Sequence, residues 1–174
     1  NFAKAFDVKY TDKEGKDEFV WATSWGVSTR LMGALIMTHS DDEGLILPPK
    51  LAPFQAVIIP FFLKNKPEIN EKLMTKANQM ADDLRKAGIR VQIDADETKR
   101  PGFKFAEYEL KGYPTRIVIG PRDLENGTVE IARRDTKLKE TLSSNDIVGI
   151  IQNLLDNIES NLLKKAQQFR SNNT

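Results

Sequence analysis

The residues best suited to chemistry lie at residues 21–35, where a β-prone run ends in Trp25-Gly26 and a helical pattern follows. Gly26 lets a planar ligand approach the backbone, because glycine has no side chain to obstruct it. The first turn of a helix offers unpaired N–H groups and a positive dipole end to a phosphate. Arg30 can hold a phosphate with two nitrogens and Ser28 adds a hydroxyl, so the stretch suggests an anion site. A tryptophan buried at a tight turn, followed by a surface arginine, explains the same pattern equally well.

Several kinds of active site are disfavoured by what the sequence lacks. It has no cysteine, which excludes disulfides and cysteine-ligated zinc and fits a reducing compartment. His39 is the only histidine, so a triad that uses histidine as its base is not expected. The two glycine-rich signatures that bind phosphate, Gly-x-x-x-x-Gly-Lys-Thr and Gly-x-Gly-x-x-Gly, are both absent from the sequence. Asp41, Asp42 and Glu43 are adjacent in a turn, which is typical of solvated acids, so no metal site is predicted.

Overall charge does not indicate a partner. The formal net charge is +1, and 29% of residues are charged. Between residues 97 and 140 there are ten Lys or Arg against eight Asp or Glu, so any RNA site must depend on local clustering. No apolar run approaches the ~18 residues that cross a membrane. The opening residues show no signal-peptide pattern and no initiator methionine, so we expect a piece of a longer protein.

The elements that must position these residues begin with a hairpin and a helix. Two β-prone runs, residues 6–10 and 19–22, flank a polar turn that contains Gly15. Apolar residues then recur at helical spacing over residues 27–37, which predicts a helix with one buried stripe. Pro48-Pro49 forms a stiff connector, and we place a domain boundary near Lys50.

An α/β domain is predicted from residue 51 to residue 142. The continuous apolar run at residues 55–62 indicates a strand covered on both faces. A helix from Pro67 to Gly88 and a strand at residues 89–93 follow, which implies a right-handed crossover and parallel pairing. Further elements are predicted as a helix at residues 102–110, a strand at 115–119, an Asn126-Gly127 turn and a strand at 128–133.

A long helix is predicted from residue 145 to residue 170, capped by Ser144 or Asn145. It is longer than a small domain needs, so residues 143–174 are expected to link to a further domain.

The motifs resemble those of a known enzyme family. Residues 23–30, Thr-Ser-Trp-Gly-Val-Ser-Thr-Arg, resemble motif 3 of the class II aminoacyl-tRNA synthetases, in which a glycine-ended strand and an arginine-bearing helix bind ATP. More narrowly, the chain is similar to prolyl-tRNA synthetases of the type without an inserted editing domain. That similarity is carried by residues 1–6, 23–30, 33–37, 41–53, 100–105, 111–116 and 120–125, in this order, and covers nearly the whole chain.

The resemblance implies roles for residues of motif 3. Arg30 would be catalytic through the ATP phosphates, and Ser28 would also contact the nucleotide. Ser24, Trp25 and Gly26 would line the pocket for proline and the adenylate. Residues 1–50 would then be the end of a class II catalytic domain. Motifs 1 and 2 are not in the chain, so we expect no adenylate formation from it alone.

For residues 51–142 the resemblance implies an anticodon-binding domain, a mixed β-sheet with flanking helices. Its candidate base-reading residues are Glu109, Arg116, Arg122 and Lys139. Proline anticodons share two guanines; a carboxylate suits guanine N–H donors, and arginine or lysine suits O6 and N7. Arg116 heads a predicted strand and Arg122 follows its end, so we expect both on one rim. Without the resemblance, all four are ordinary surface charges.

The function implied by the resemblance is that of a proline–tRNA ligase. The parent protein would activate proline with ATP and Mg2+ and transfer it to the tRNA for proline. It would be cytoplasmic, without membrane association, and a homodimer through its catalytic portion. Two other functions remain open: a non-catalytic, synthetase-like module that binds tRNA, and a generic α/β domain that binds a small molecule.

Overall fold

The computed structural model describes residues 2–173. The helices in this part of the chain are α1 (Phe2–Ala5), α2 (Arg30–His39), α3 (Pro67–Lys86), α4 (Pro101–Leu110), α5 (Pro121–Asn126) and α6 (Ile147–Asn172). The strands are β1 (Lys9–Thr11), β2 (Asp17–Phe19), β3 (Ala56–Pro60), β4 (Val91–Ile93), β5 (Thr115–Ile119), β6 (Thr128–Arg133) and β7 (Lys139–Ser143). None of the helices among residues 2–173 has the length and apolar character needed to cross a bilayer.

The chain divides into two compact units, Asn1–Gly33 and Ala34–Thr174. The predicted hairpin is present in the first unit as the antiparallel pair β1–β2, with strands shorter than expected. Its turn is held by Asp12, whose carboxylate accepts from the backbone N–H groups of Glu14 and Lys16. The predicted domain limits at residues 50 and 142 concern the intact protein and stay predictions.

The predicted strand ending at Trp25-Gly26 is not formed. Residues 20–28 adopt neither helix nor strand, and the Trp21 and Trp25 side chains are fully exposed. The predicted buried stripe is also wrong, because Val27 and Leu31 are exposed and α2 buries no residue. Apolar spacing predicts which residues share a helix face, but burial requires a second surface.

The second unit is built on a five-stranded mixed sheet in the order β4-β3-β5-β6-β7. β3 pairs in parallel with β4 and with β5, whereas β6 is antiparallel to both β5 and β7. The predicted α/β class, with a mixed sheet and flanking helices, is therefore confirmed. The predicted parallel pairing of β3 and β4 through α3 is confirmed as well: β3 is buried throughout, Pro67 opens α3, and Gly88 follows its end with φ +81°.

Three elements were not predicted: the short amino-terminal helix α1, and α5 and β7 of the second unit. Gly120-Pro121 breaks β5 as expected, but Pro121 then opens the short helix α5, in which the Asp123 carboxylate accepts from the Gly120 N–H at 2.8 Å. Strand β7 escaped prediction because only Leu142 reaches the apolar core; its other side chains are exposed. Polar edge strands of this kind give little periodic signal.

Helices cover the two faces of the sheet unequally. One face packs against α3 and α6 and contains the main core, which includes Ile58, Leu73, Ile117 and Ile151. On the other face, α4 packs over β3 and β5 in a smaller cluster of Val57, Ile59, Tyr108 and Val118. The same face of β6 and β7 carries no helix within the described chain.

The long carboxy-terminal helix is confirmed, with a different cap. Asp146 caps α6, since its carboxylate accepts from the Gly149 N–H at 3.1 Å. Ser144, one of the two predicted caps, instead donates its hydroxyl to the Gly127 carbonyl. Further along, Ile158 and Leu162 pack with Ile46, so α6 also holds the segment that precedes β3.

Candidate functional site

The sheet face that α4 partly covers brings two of the predicted base-reading residues into one row. Arg116 of β5 lies opposite Ala132 of β6, which lies opposite Lys139 of β7. Residues directly opposite in neighbouring strands point to the same face of a sheet. Val57 is the next member of the row and packs beneath α4, which identifies the face.

Arg116 is the centre of this site. Its side chain is 5% exposed, and Nη1 donates to Oε1 of Glu109 at 2.7 Å. The guanidinium carbon lies 3.9 Å from the ring centroid of Phe105. Nε and Nη2 are buried and have no hydrogen-bond partner among the described residues. Because a buried donor without an acceptor is costly, these two nitrogens favour a ligand that brings an oxygen or nitrogen lone pair.

Glu109 completes a pair of opposite hydrogen-bonding character. It stands in the last turn of α4, four residues after Phe105, so both side chains lie on one face of the helix. Its side chain is 40% exposed, which leaves carboxylate lone pairs available beyond the bond to Arg116. A guanidinium that donates hydrogen bonds and a carboxylate that accepts them lie side by side. Together they can recognise a planar group that carries both hydrogen-bond acceptors and donors.

Phe105 was not predicted as part of the site. Its place one helical turn before Glu109 is the signal that could have found it, since residues four apart share a helix face. Its ring provides the apolar surface on which the Arg116 guanidinium lies. Cation–ring contact of this kind holds an arginine plane in a defined orientation.

Two tyrosines and a buried ion pair hold α4 against the sheet. The rings of Tyr108 and Tyr113 meet edge to face at 4.8 Å, and the Tyr113 hydroxyl donates to Gln92. Burial raises the pKa of Tyr113, so it remains a neutral donor. Lys104 pairs with Asp94 at 3.0 Å and is almost fully buried.

Arg122 does not share a rim with Arg116. Arg116 stands near the amino end of β5, whereas Arg122 belongs to α5, beyond the carboxyl end of the same strand. A strand rises about 3.3 Å per residue, so the three steps from 116 to the end of β5 alone span roughly 10 Å. The expectation of a common rim was therefore wrong. Arg122 and Lys139 are both exposed, and neither has an ion-pair partner within residues 2–173.

The stretch predicted to bind a nucleotide does not enclose a hollow by itself. Arg30 and Trp25 are exposed, and a side chain added at Gly26 would meet nothing within 4 Å. The Ser28 hydroxyl accepts from the Arg30 N–H at 3.3 Å and so caps the start of α2. None of five cavities in the described chain is lined by residues 24–30. The roles assigned to this stretch stay predictions.

No metal centre is apparent in the part of the chain that the structure describes. Residues 2–173 contain no group of three or more His, Cys, Asp or Glu placed to hold an ion.

Comparison with known families and proteins identifies relatives of most of the chain. A family model described as "Anticodon binding domain" matches residues 55–154. The proline–tRNA ligase of Azobacteroides pseudotrichonymphae is 58% identical over all 174 residues, and that of Porphyromonas gingivalis is 56% identical over the same length. The proline–tRNA ligase of Flavobacterium psychrophilum is 59% identical over 170 residues, or 98% of this chain. The chain spans 34–35% of these three relatives, about a third of their length.

A solved structure shows the same arrangement. The prolyl-tRNA synthetase of Cryptosporidium parvum, crystallised with L-proline and AMP, matches with a TM-score of 0.86 and 40% identity. The match covers 99% of this chain and 36% of that one.

Proposed function

This chain belongs to the anticodon-binding-domain family, and we propose that it supplies anticodon recognition to a proline–tRNA ligase. The observation that carries the proposal is the half-paired guanidinium of Arg116 beside the partly exposed carboxylate of Glu109. The identity of 56–59% to proline–tRNA ligases across nearly all of the chain supports the choice of amino acid.

Guanine is the base that fits this pair. Its O6 and N7 accept hydrogen bonds from an arginine fork, and its N–H groups donate to a carboxylate. Nε and Nη2 of Arg116, which have no partner among residues 2–173, would supply the two donors when the side chain turns toward the base, and Glu109 would supply the acceptor. Proteins that read RNA sequence bind unstacked bases of single-stranded loops, and an anticodon is such a loop.

Lys139 and Arg122 are proposed to contact the tRNA in different places. Lys139 shares the row of Arg116 and would meet the reading base or its phosphate. Arg122, past the other end of β5, would meet a neighbouring nucleotide. Both are exposed, so either can reach a phosphate oxygen.

A binding assay with RNA stem-loops tests base reading. Arg116→Lys removes the fork while keeping the charge, and we expect about 10-fold weaker binding to a loop carrying the two guanines. Binding to a loop with adenines in their place should change much less, because it does not use the fork. Lys139→Ala and Lys72→Ala form a matched pair, both exposed lysines, with Lys72 on α3 at the opposite face. Equal losses in that pair would indicate general attraction to phosphate and contradict the proposed reading surface.

We propose the class II roles for the amino-terminal stretch within the intact ligase. Arg30 would contact the ATP phosphates and Ser28 the nucleotide, while Ser24, Trp25 and Gly26 would line the proline and adenylate pocket. The guanidinium of Arg30 is exposed and has no ion-pair partner among residues 2–173, which is compatible with a phosphate ligand. Residues 24–30 contain no carboxylate and so offer no ligand set for Mg2+. The ion would be carried by the phosphates of ATP. The intact ligase would be a cytoplasmic homodimer.

Proline-dependent exchange of pyrophosphate into ATP tests the role of Arg30. In the intact ligase, Arg30→Ala should abolish exchange, because a guanidinium on the transferring phosphates supplies charge stabilisation that no neighbour replaces. Lys16→Ala, in the hairpin turn, serves as the control and should leave exchange unchanged. Unchanged exchange in Arg30→Ala would remove the role assigned to it.

The second candidate function is a non-catalytic module that binds tRNA. The exposure of Trp25 and Arg30 supports it, since residues 24–30 line none of the five cavities described above, whereas Arg116 and Glu109 are already paired. A natural parent protein that binds the guanine loop but shows no exchange activity would establish this alternative.

A further inference from the structure

The last turn of α4, which carries Glu109, is braced by residues 41–45. The Leu45 N–H donates to the Leu110 carbonyl at 3.1 Å. A side chain added at Gly44 would lie 2.4 Å from the Leu110 Cα, and one at Gly112 would lie 2.6 Å from the Leu45 Cβ. The two backbones therefore touch, and each contact depends on a glycine.

Arg134 connects this brace to Glu109. Its side chain is almost completely buried. Nη1 donates to Oδ2 of Asp41 at 2.9 Å, Nη2 donates to Asp41 and to the Gly44 carbonyl, and Nε donates to the Glu109 carbonyl at 3.0 Å. In contrast to Arg116, Arg134 has a partner for each of these nitrogens. Lys137 also pairs with Asp41, at 3.6 Å, but its side chain is half exposed and makes no hydrogen bond to α4.

The bond to the Glu109 carbonyl joins two ion pairs through one residue. The Glu109 backbone is held by Arg134, and the Glu109 carboxylate holds Arg116 at 2.7 Å. Carbonyls in the last turn of a helix need donors from outside the regular helical pattern. The Glu109 carbonyl accepts from the Gly112 N–H at 3.1 Å as well as from Arg134, so Arg134 adds a side-chain bond to a backbone one. A shift of this turn would move the carboxylate that orients Arg116.

We propose that Arg134 and Asp41 are positioning residues that set the orientation of the Glu109–Arg116 pair and, through it, the preference for guanine. The base-preference part of this inference rests on the proposed function; the positioning part does not. The guanidinium nitrogens of Arg134 are already bonded to Asp41, Gly44 and Glu109, so its effect on a base is expected to act through Glu109.

If Arg134 only stabilised the fold, its loss would lower stability without changing the orientation of Arg116. Arg133 provides the matched control. Arg133 is the neighbouring residue and also belongs to an ion pair, with Asp135 at 2.8 Å. It bonds to Asn157 of α6 and makes no hydrogen bond to α4. Arg133→Lys should therefore reduce stability without disturbing Arg116, whereas Arg134→Lys should do both. Asp41→Asn is the milder second variant, since an amide keeps the shape of the carboxylate but loses its charge.

Nuclear magnetic resonance of the full 174-residue chain, with 15N-labelled arginine and no RNA, tests the positioning itself. The Arg116 guanidinium should rotate slowly in the unsubstituted chain and in Arg133→Lys. It should rotate freely in Arg134→Lys and Asp41→Asn. Restricted rotation in both of the latter variants would overturn the inference, as would free rotation in Arg133→Lys.

RNA stem-loops with guanines or adenines in the anticodon test the functional consequence. The guanine preference should fall about 10-fold in Arg134→Lys and Asp41→Asn and stay unchanged in Arg133→Lys. An undiminished preference in both positioning variants would overturn the link to base reading. A lack of guanine preference in the unsubstituted chain would instead overturn the proposed function, while the rotation measurement would still decide the positioning.

Discussion

Arg116 and Arg134 are both buried arginines, but the structure uses them differently. Arg134 is fully occupied by Asp41 and two backbone carbonyls, whereas Arg116 has one bond to Glu109 and two nitrogens without a partner among residues 2–173. An unsatisfied buried donor costs about 1–3 kcal/mol. A stable fold has no reason to carry that cost at a position that is only structural. At the scale of single residues, Arg116 is therefore suited to bind a ligand, and Arg134 is suited to fix the structure around it.

The Asp41–Arg134 pair predicts a specific loss of stability in acid. The hydrogen bond from Arg134 lowers the pKa of Asp41 below its ordinary value of 3.8, although burial opposes the shift. Because the pKa is lower in the folded state, the pair stabilises the fold above pH 3.8 and loses this contribution as the pH falls below it. Urea unfolding between pH 2 and pH 6 should show a smaller decline for Asp41→Asn than for the unsubstituted chain.

The neighbouring carboxyl provides the control for this titration. Asp42 has no ion pair among the described residues, so Asp42→Asn should leave the acid decline unchanged. Identical pH profiles for Asp41→Asn and the unsubstituted chain would show that the pair does not contribute in this range.

The buried Lys104–Asp94 pair should be strongly coupled. Both side chains are less than a tenth exposed, and they lie 3.0 Å apart. Lys104→Met should cost about 3–5 kcal/mol, because it leaves the Asp94 charge buried and unpaired. The double variant with Asp94→Leu should cost clearly less than the sum of the single variants. A double-mutant cycle from urea unfolding measures this coupling, and additive costs would contradict it.

At the scale of elements, the position of α4 depends on backbone contact as well as on side chains. Its start is tied to β4 by Lys104 and Asp94, and its last turn is tied to residues 41–45. Gly44 has φ +137°, and a side chain there would collide with the backbone of Leu110. Backbone cannot move aside as a flexible side chain can, so this contact should tolerate no substitution.

Two glycine substitutions separate steric collision from backbone strain. Gly88→Ala introduces strain only, since φ is +81° and nothing lies within 4 Å of the added carbon. Strain of this kind costs about 1–2 kcal/mol. Gly44→Ala adds the collision with Leu110 and should lower the melting temperature considerably more than Gly88→Ala does. Equal shifts in thermal unfolding would indicate that residues 41–45 do not brace α4.

At the scale of the whole molecule, the two compact units differ in how much apolar surface they bury. Residues 20–28 form no regular structure, and the side chains of Trp21 and Trp25 are fully exposed. Brief treatment with chymotrypsin should therefore cleave after Trp21 or Trp25 before it cleaves within β3–β7. Exposed backbone without hydrogen-bonded structure fits a protease site without unfolding, whereas a core strand does not.

Mass spectrometry of the first fragments identifies the cleaved bond. Tyr108 provides an internal control, since it is an equally suitable residue for the enzyme but is buried between α4, to which it belongs, and the sheet. Early cleavage after Tyr108 would contradict the stability assigned to the second unit.

Sequence patterns alone were sufficient for the elements with the strongest local signals. β3 and α3 followed from a continuous apolar run and from helical periodicity bounded by Pro67 and Gly88. β5 and β6 were predicted with the limits that the structure shows. The short sequence motifs shared with the synthetases also pointed to the family that the comparisons support. These signals are local, because strand and helix periodicity is set by neighbouring residues of one segment.

Burial and proximity, in contrast, were decided only by the tertiary structure. The sequence could not show that Arg116 is buried and half paired while Arg122 lies at the other end of β5. It could not show that Trp25 is exposed, or that Arg134 reaches Asp41 across 93 positions of the chain. Each of these outcomes depends on contacts between segments that are far apart in the sequence. Such contacts form only when the sheet is assembled. Whether a charged side chain is free to bind a ligand depends on the groups that the fold places around it, and the sequence alone does not give those groups.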